Sequence, residues 1–244
     1  MRPLPATLLS MLAAACASDG PDAPEGPPPA DMRLEQLVAC NDAAIGGDRL
    51  RAASRVDYDL EIEEPTFAAK GHYYATRSGE MRIDVYMNGE RVFSEGRDAT
   101  GAWEQPKEAA APVPVSEDAA AALRHGVEQP GHLWTLADMP RNGHDVALEG
   151  RDTIDGVSYY VVKLTLKDGF ESWYRLHPDT CQIERSRNFR AYHPDVDSTR
   201  RWMESVLEGY EDFGGIRKAR VTRDVDLATG QTVGRTRIAS YTAK

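Results

Sequence analysis

Apolar and polar residues alternate along much of the chain after residue 55. In the stretch VDYDLEIEE, Val56, Tyr58, Leu60 and Ile62 are separated by acidic residues. A period of two places one set of side chains on a dry face and the other on a wet face, which is typical of an antiparallel strand over a core. We interpret the acidic face as solvated rather than as a cation site, because charges on an exposed strand also oppose edge-to-edge aggregation.

Further segments with this period are separated by turn residues. They are predicted at 67–76, 81–87, 146–149, 158–166, 171–176, 181–189, 199–208, 216–227 and 232–243, with a short strand around Trp103. Asn88 and Gly89 are typical of a two-residue type I′ hairpin turn, which would place Val85 opposite Val92. Ten to twelve antiparallel strands in meander order must curl, and a strongly curved sheet encloses a concave face.

A helix is predicted before the first strand. Residues 32–45 carry Leu34, Leu37 and Val38 as an apolar stripe at helical spacing, with Asp31 as a candidate N-cap. Gly46 can end this helix because glycine adopts positive φ without steric cost. A short helical turn at 49–53 then leads into the first strand, so we expect the double glycine to place the helix over the sheet.

Residues 106–144 interrupt the alternation, and we expect them to form a helical lid. Ser116 can cap a helix over 117–125, with Gly126 after its end, and Pro130 can begin a second short helix that contains Leu133 and Trp134. An insertion of this length between hairpins is long enough to suggest a functional role.

The first thirty residues do not have the composition of a folded element. Residues 1–15 have a basic start and an apolar run too short to span a bilayer, followed by LAAAC, so they are predicted to be a lipoprotein signal peptide. Cys16 would then carry the lipid, although ordinary secretion with cleavage nearby is the alternative. Residues 16–30 are rich in proline and glycine and are predicted to be a tether.

The cysteine count and the net charge limit the possible disulfide pairing and the possible partners. With Cys16 lipidated, Cys40 and Cys181 are an even pair in an oxidising compartment, and either a disulfide or two unpaired thiols is compatible with the sequence. The net charge of −10 argues against a nucleic-acid partner, since nucleic-acid binders present a basic face.

The sequence contains no motif of a known catalytic or metal-binding type. The six histidines form no HExxH motif, no GxSxG elbow occurs, and the GGDRL stretch does not fit a phosphate-binding loop. We therefore predict no enzyme activity, no metal site and no cofactor.

Several segments together resemble the LolA-like superfamily of periplasmic lipoprotein carriers and receptors, especially its branch of outer-membrane lipoprotein-sorting proteins. These segments are AAIGGDRLRAASRV, GRDATGAW, VALEGRDTIDGVSYYVVKLTLKDGFESWYRLHPDTCQIERSR and EGYEDFGGIRKARV. Two positions depart from the family pattern: His177 precedes the Pro-Asp-Thr turn, and Arg217 and Lys218 follow Gly-Ile where the family commonly has a nearby proline. The resemblance spans most of residues 31–244 and implies a mainly β, α+β fold. In that fold a half-open antiparallel barrel is covered by an N-terminal helix and the helical insertion, and its apolar cavity holds acyl chains.

From the pattern and the resemblance we expect a lipid-anchored, non-catalytic protein of the bacterial cell envelope. It would face the periplasm from the outer membrane and bind acyl chains of a lipid or lipoprotein. The residues expected to line the cavity are Leu34, Leu37, Val38, Tyr58, Leu60, Ile83, Val85, Leu133, Trp134, Val162 and Leu164. The alternatives are a barrel filled by its own side chains and an envelope lipoprotein of the same fold without a lipid ligand.

Overall fold

One antiparallel sheet of thirteen strands forms the body of the protein. The computed structural model describes residues 31–244, so the predicted signal peptide, Cys16 and tether lie outside the described residues. The strands are β1 (Arg55–Glu64), β2 (Phe67–Thr76), β3 (Met81–Met87), β4 (Glu90–Asp98), β5 (Gly101–Pro106), β6 (Val113–Pro114), β7 (Asp145–Ile154), β8 (Val157–Thr165), β9 (Glu171–Leu176), β10 (Ile183–Arg190), β11 (Arg201–Asp212), β12 (Arg217–Asp226) and β13 (Gln231–Ala243).

The first and last strands pair in the middle of the sheet. The spatial order is β6-β5-β4-β3-β2-β1-β13-β12-β11-β10-β9-β8-β7, and Val56 of β1 lies opposite Ala243 of β13. The outer strands β6 and β7 each pair with one neighbour in the described part of the chain, so the sheet is open and does not close into a full barrel. The predicted fold class, a mainly β half-open barrel covered by helices, is confirmed.

Three helices and a short 3-10 helix cover the sheet. They are α1 (Leu34–Ile45), α2 (Gly47–Ala52), α3 (Glu117–Glu128) and the 3-10 helix Leu136–Asp138. Residues 115–144, called the crossing segment below, join β6 to β7 and therefore run from one outer strand of the sheet to the other. No helix among residues 31–244 is long and apolar enough to cross a membrane.

The turn between β3 and β4 has the predicted type, but the register of this hairpin is shifted. Asn88 and Gly89 both have positive φ, 52° and 84°, as a type I′ turn requires. Met87 lies opposite Glu90, but Val85 lies opposite Phe93 and not Val92, because an irregularity after Val85 adds one residue on β4. The predicted pairing of Val85 with Val92 is therefore wrong by one position.

The helix boundaries differ from the prediction in three places. Helix α1 begins at Leu34 with Arg33 as its capping residue rather than Asp31. Helix α3 continues through Gly126 to Glu128, because Val127 is buried and its packing outweighs the roughly 1 kcal/mol cost of a glycine inside a helix. The segment after Pro130 is not a helix, since Pro130 forms an isolated bridge with Trp134 and the 3-10 helix begins only at Leu136.

The covered face of the sheet carries two cores. The first core lies on β1, β2, β3 and β13 under α2 and the crossing segment, and its members include Leu50, Val56, Tyr58, Tyr73, Met81, Val127, Leu133, Ile216, Ile238 and Tyr241. The second core lies on β8 and β9 under α1, and its members include Leu37, Leu136, Met139, Tyr160, Val162, Leu164, Leu166, Tyr174 and Leu176. Trp134 packs against both cores, so the crossing segment connects them.

Candidate functional site

A cavity of about 400 Å³ lies between the sheet and the elements that cover it. Seven strands that are adjacent in the sheet, from β2 to β9, contribute residues to its wall. Neighbouring strands are about 4.8 Å apart, so a flat sheet would separate β2 from β9 by roughly 29 Å. The sheet therefore curves around the cavity, as the number of hairpins predicts.

Apolar and aromatic side chains provide most of the cavity wall. The aliphatic members are Ile45, Leu50, Leu60, Ile183, Leu207, Ile216, Ala219 and Ile238, and the tyrosines are Tyr58, Tyr73, Tyr174 and Tyr210. The other lining residues are Asn41, Gln129, Pro130, Gly131, His132, Ser186, Arg217, Lys218, Thr222 and Thr236. Helix α1, helix α2 and residues 129–132 of the crossing segment close the side opposite the sheet.

Two of the eleven residues expected to line the cavity do so, namely Tyr58 and Leu60. Four others are almost fully buried in the two cores and pack against protein atoms: Leu37, Leu133, Val162 and Leu164. Leu34, Val38, Ile83 and Trp134 are partly buried against those cores, and Val85 is half-buried and belongs to neither. The structure therefore does not place these nine residues at the cavity wall, because α1 and the crossing segment fill the adjoining parts of the covered face.

A polar joint fixes α1, α2 and the crossing segment to one another. Asp42 of α1 accepts two hydrogen bonds from Arg51 of α2, each at 2.7 Å, and one from the hydroxyl of Thr135 at 2.8 Å. Arg51 also lies 3.6 Å from Asp138 of the 3-10 helix. The hydrogen bond from Arg51 is the main reason that the pKa of Asp42 is below its ordinary value, so the carboxylate stays charged and the joint stays formed near neutral pH.

The crossing segment is held to the sheet at a second point. Arg124 and His125 of α3 contact the same carboxylate oxygen of Asp168, in the β8–β9 turn, at 2.6 and 2.7 Å. Burial opposes ionisation of Asp168, but these two hydrogen bonds outweigh it and hold its pKa well below the usual range. The side-chain amide of Gln129 donates to Ser172 at 3.1 Å, next to the cavity.

Arg77 forms a third attachment, in the β2–β3 turn. Its guanidinium donates to the carbonyl oxygens of Ala53 and Leu50 at 2.7 Å and of Leu133 at 3.1 Å, and it lies 4.5 Å from the centre of the Trp134 ring. Burial lowers the pKa of Arg77 below its ordinary value. This one side chain therefore connects the end of α2 to the crossing segment.

A small polar cluster lies at the cavity wall where the crossing segment meets β1, β12 and β13. The Lys218 ammonium donates to the carbonyl oxygen of Gly131 and lies 5.4 and 5.1 Å from the ring centres of Tyr58 and Tyr241. His132 Nδ1 is 3.3 Å from the Tyr58 hydroxyl. Burial lowers the pKa of Lys218 to about 7, and burial together with the charge of Lys218 lowers the pKa of His132 to about 3.

Cys40 and Cys181 form a disulfide between α1 and the segment before β10. The sequence left this pairing open. The bond joins residues 141 positions apart, and Asn41, next to Cys40, donates its side-chain amide to the carbonyl of Cys181 at 2.8 Å. The C-terminal half of α1 is thereby fixed beside the cavity, which Asn41 and Ile45 both line.

Within residues 31–244 no group of three or more histidine, cysteine or acidic side chains is arranged to hold a metal ion. His132 is the histidine at the cavity wall, and its hydrogen-bond contact there is with the Tyr58 hydroxyl.

A second depression of about 470 Å³ lies between α2, the β11–β12 turn and the end of β13. Its wall includes Arg49, Gly214, Thr242 and Lys244, and of its lining residues it shares Ile216 with the first cavity. None of the residues expected at the site lines it. We take the cavity under the crossing segment as the candidate site, because seven strands and three covering elements converge on it.

Solved structures with the same arrangement include proteins from three bacteria. A LolA superfamily protein from Nitrosomonas europaea superposes with a TM-score of 0.56 at 11% identity, covering 88% of this chain and 94% of that chain. A DUF1329 family protein from Desulfovibrio piger superposes with a TM-score of 0.55 at 15% identity. The match covers 85% of this chain and 93% of that chain. An outer membrane lipoprotein-sorting protein domain from Vibrio parahaemolyticus superposes with a TM-score of 0.57 at 8% identity. The match covers 87% of this chain and 94% of that chain. No protein-family model and no curated protein sequence matches this chain.

This chain has a LolA-like fold. The resemblance inferred from the sequence is confirmed at the level of fold, and the coverage of more than four fifths of each chain shows that it extends over the sheet and its covering elements. At these identities the likeness concerns the LolA-like fold itself, so the site must be argued from its own residues.

Sequence reasoning missed most of the wall of this LolA-like cavity. Leu207 and Ile238 lie in predicted strands, and the period of two could have assigned them to the inner face. His132 and Lys218 gave no such signal. His132 lies outside the strands, Lys218 lies among other charged residues of β12, and the two come together only in the folded chain.

Proposed function

We propose that this protein binds the acyl chain of a lipid or lipoprotein in the cavity under the crossing segment and transfers it without catalysing a reaction. The observation that carries the proposal is the cavity itself. Its volume of about 400 Å³ is within the range of small-molecule sites, roughly 300–1,000 Å³, and its wall is mainly aliphatic and aromatic. Apolar surroundings of this kind accept hydrocarbon in preference to water.

Area burial alone is sufficient to hold such a ligand. Each buried methylene contributes about 0.8 kcal/mol, so roughly ten buried methylenes contribute about 8 kcal/mol. This equals a dissociation constant near 1 μM before the entropic cost of association is subtracted. A reversible binder of intermediate affinity suits a protein that receives and releases lipid.

In this proposal the crossing segment is the lid. It runs between the two outer strands, and residues 129–132 line the cavity, so a ligand reaches the wall when this segment moves. Its polar attachments to the rest of the chain are the Asp168 contacts, the Gln129–Ser172 hydrogen bond, the Arg77 bonds to carbonyls and the joint around Asp42. Leu133, Leu136 and Met139 of the same segment are buried in the two cores, so we expect opening to involve residues 129–132 while the cores and the sheet stay folded.

We further propose that the protein is anchored in the bacterial envelope through a lipid on Cys16 and faces the periplasm, at the outer membrane. The support is the apolar N-terminal pattern that ends in LAAAC, together with the Cys40–Cys181 disulfide, which suits an oxidising compartment. Mass spectrometry of the full chain extracted from membranes would show a diacylglyceryl mass on the peptide that begins at Cys16. Its absence, with Cys16→Ala fractionating as wild type does, would contradict the anchor.

Binding is tested with the full chain carrying Cys16→Ser, which avoids acylation. Native mass spectrometry should show co-purifying lipid, and the uncharged apolar dye N-phenyl-1-naphthylamine should fluoresce on binding. Leu207→Trp fills the cavity and should abolish the dye signal. Leu227→Trp is the matched control, because Leu227 is exposed and does not line the cavity.

The opposing candidate is an envelope lipoprotein of the same fold without a lipid ligand. It would be favoured by a spectrum free of lipid together with no dye binding by the wild type. Equal dye binding by Leu207→Trp and Leu227→Trp, with both variants folded by circular dichroism, would place any binding outside this cavity.

A further inference from the structure

The charge of the cavity wall is opposite in sign to that of the whole protein. The chain carries 39 acidic and 29 basic residues. The residues that line the cavity nevertheless include Arg217 and Lys218, together with His132, and none that is acidic. A wall built only to hold hydrocarbon needs no cation, since a charge next to an apolar cavity loses hydration.

Lys218 has no carboxylate partner among the described residues. Its only polar contact there is the carbonyl oxygen of Gly131. Glu211 lies opposite Lys218 in the β11–β12 register, but its carboxylate pairs with Arg220 at 2.7 Å. A lysine that faces an apolar cavity without a carboxylate partner loses hydration that no ion pair replaces, so this arrangement requires an explanation.

The ammonium of Lys218 has hydrogen-bonding capacity to spare at the cavity. An ammonium has three donors, and the carbonyl of Gly131 uses one. The side chain is half-buried and contributes to the cavity wall, and burial lowers the pKa of Lys218 to about 7. An anion in the cavity would supply the missing charge.

The remaining neighbours of Lys218 are compatible with an anion. The rings of Tyr58 and Tyr241 face the ammonium, and the nearest titratable group of the crossing segment, His132, is uncharged near neutral pH because its pKa is about 3. The Tyr58 hydroxyl, 3.3 Å from His132, is a second polar group at the same end of the cavity. The cluster thus presents a cation and a hydroxyl to the cavity without a competing carboxylate.

We propose that Lys218 binds the anionic head group of the ligand, so that the cavity takes a single-chain amphiphile with a carboxylate or phosphate at one end. This inference rests on the proposed function, because it assumes that an acyl chain occupies the cavity. The chain lies along the aliphatic wall, and the head group lies at Lys218, beneath Gly131 and His132 of the crossing segment.

The test compares three amphiphiles with the same chain and different heads: dodecanoate, dodecyl phosphate and dodecanol. Each displaces N-phenyl-1-naphthylamine from the full chain carrying Cys16→Ser at about pH 6.5, where Lys218 is charged. A charge-assisted hydrogen bond in a desolvated site should make at least one anionic amphiphile bind about tenfold or more tightly than dodecanol.

Lys218→Met keeps the length of the side chain and removes the charge. We expect it to bind dodecanol as the wild type does and to lose the preference for the anion. Lys218→Arg should retain a preference, and Lys70→Met, at an exposed lysine on β2, should behave as wild type. Circular dichroism and dye binding show that each variant is folded, and Lys218→Gln replaces Lys218→Met if the latter is not.

The outcomes separate this inference from the proposed function. A preference for dodecanoate assigns a carboxylate head, a preference for dodecyl phosphate assigns a phosphate, and equal preference assigns any anionic head. Binding of dodecanol as tight as that of both anions, or a preference that survives in Lys218→Met, overturns the inference while leaving acyl binding in place. No displacement by any of the three overturns the proposed function, and the role of Lys218 with it.

Discussion

The backbone of Gly46 packs directly against the backbone of Gly215. A Cβ atom at Gly46 would lie 2.0 Å from the carbonyl oxygen of Gly215, and Gly46 also has a φ of +74° as the residue that ends α1. At Gly47, a Cβ atom would lie 2.2 Å from the Asp42 carboxylate. The double glycine therefore allows α1 to turn into α2 against the β11–β12 turn.

Gly46→Ala should destabilise the protein by about 3 kcal/mol or more, since it adds a backbone clash to the roughly 1–2 kcal/mol of a left-handed alanine. The measurement is the free energy of unfolding in urea. Gly230→Ala is the matched control, because Gly230 has a φ of +71° with no atom near its Cβ position. This variant should lose only the roughly 1–2 kcal/mol that a left-handed alanine costs. Equal losses in the two variants would contradict the close packing of Gly46 on Gly215.

Loss of the Cys40–Cys181 disulfide should destabilise the protein by about 3–5 kcal/mol, because the bond closes a loop of more than a hundred residues. Reduction with dithiothreitol should lower the thermal midpoint of Cys16→Ser. It should have no effect on a variant that also carries Cys40→Ala and Cys181→Ala. A midpoint that is insensitive to reduction in both proteins would show that the two cysteines are not paired.

Asp168→Asn should loosen the crossing segment. Removing the carboxylate that Arg124 and His125 share should cost on the order of 1 kcal/mol of local stability, because these groups are partly exposed. Amide exchange in residues 117–128 should therefore accelerate about fivefold. Glu63 of β1 forms an exposed ion pair with Arg235 of β13. Glu63→Gln breaks this pair and should leave the exchange of residues 117–128 unchanged.

The same contact has a defined pH dependence. The pKa of Asp168 is lowered in the folded protein, so its contribution is present above the unfolded value of about 3.9 and is lost as the pH falls toward the folded value. The protection of residues 117–128 from amide exchange, relative to the intrinsic rate at each pH, should therefore not change between about pH 8 and 5 through titration of Asp168. An increase over that range that Asp168→Asn abolishes would contradict this assignment.

Lys218 should make stability rise with pH as well, but in a higher pH range than Asp168 does. Its pKa is about 7 when folded and near 10.4 in an unfolded chain, so between these values the unfolded state binds more protons. Stability relative to Lys218→Met should rise with pH over that range, by at most about 1.4 kcal/mol per pH unit. The groups facing the ammonium are Tyr58, Tyr241 and His132, and burial keeps both tyrosines protonated there. Urea unfolding of both proteins at about pH 7, 8 and 9 measures the difference, and parallel curves would contradict it.

The alternation of VDYDLEIEE was sufficient to predict both the first strand and its inner face, because a period of two is a local property. It could not separate the packed core from the cavity. Val162 and Leu60 both lie on the covered face, but only Val162 lies under α1, and that depends on contacts between distant parts of the chain. Lys218 is the clearest case, since its strand reads RKARVTRDVD and a charge at the cavity wall contradicts the pattern that identifies inner positions.

The pairing of β1 with β13 affects how this chain can be made. Val56 and Ala243 are neighbours in the sheet, although nearly the whole folded unit separates them in sequence. During synthesis, which proceeds from the N-terminus, β1 to β12 can pair with one another while β1 still has one open edge. An open edge is a template for aggregation. We therefore expect that the chain cannot complete its fold piece by piece, and that its emerging half must be kept from self-association until the last strand arrives.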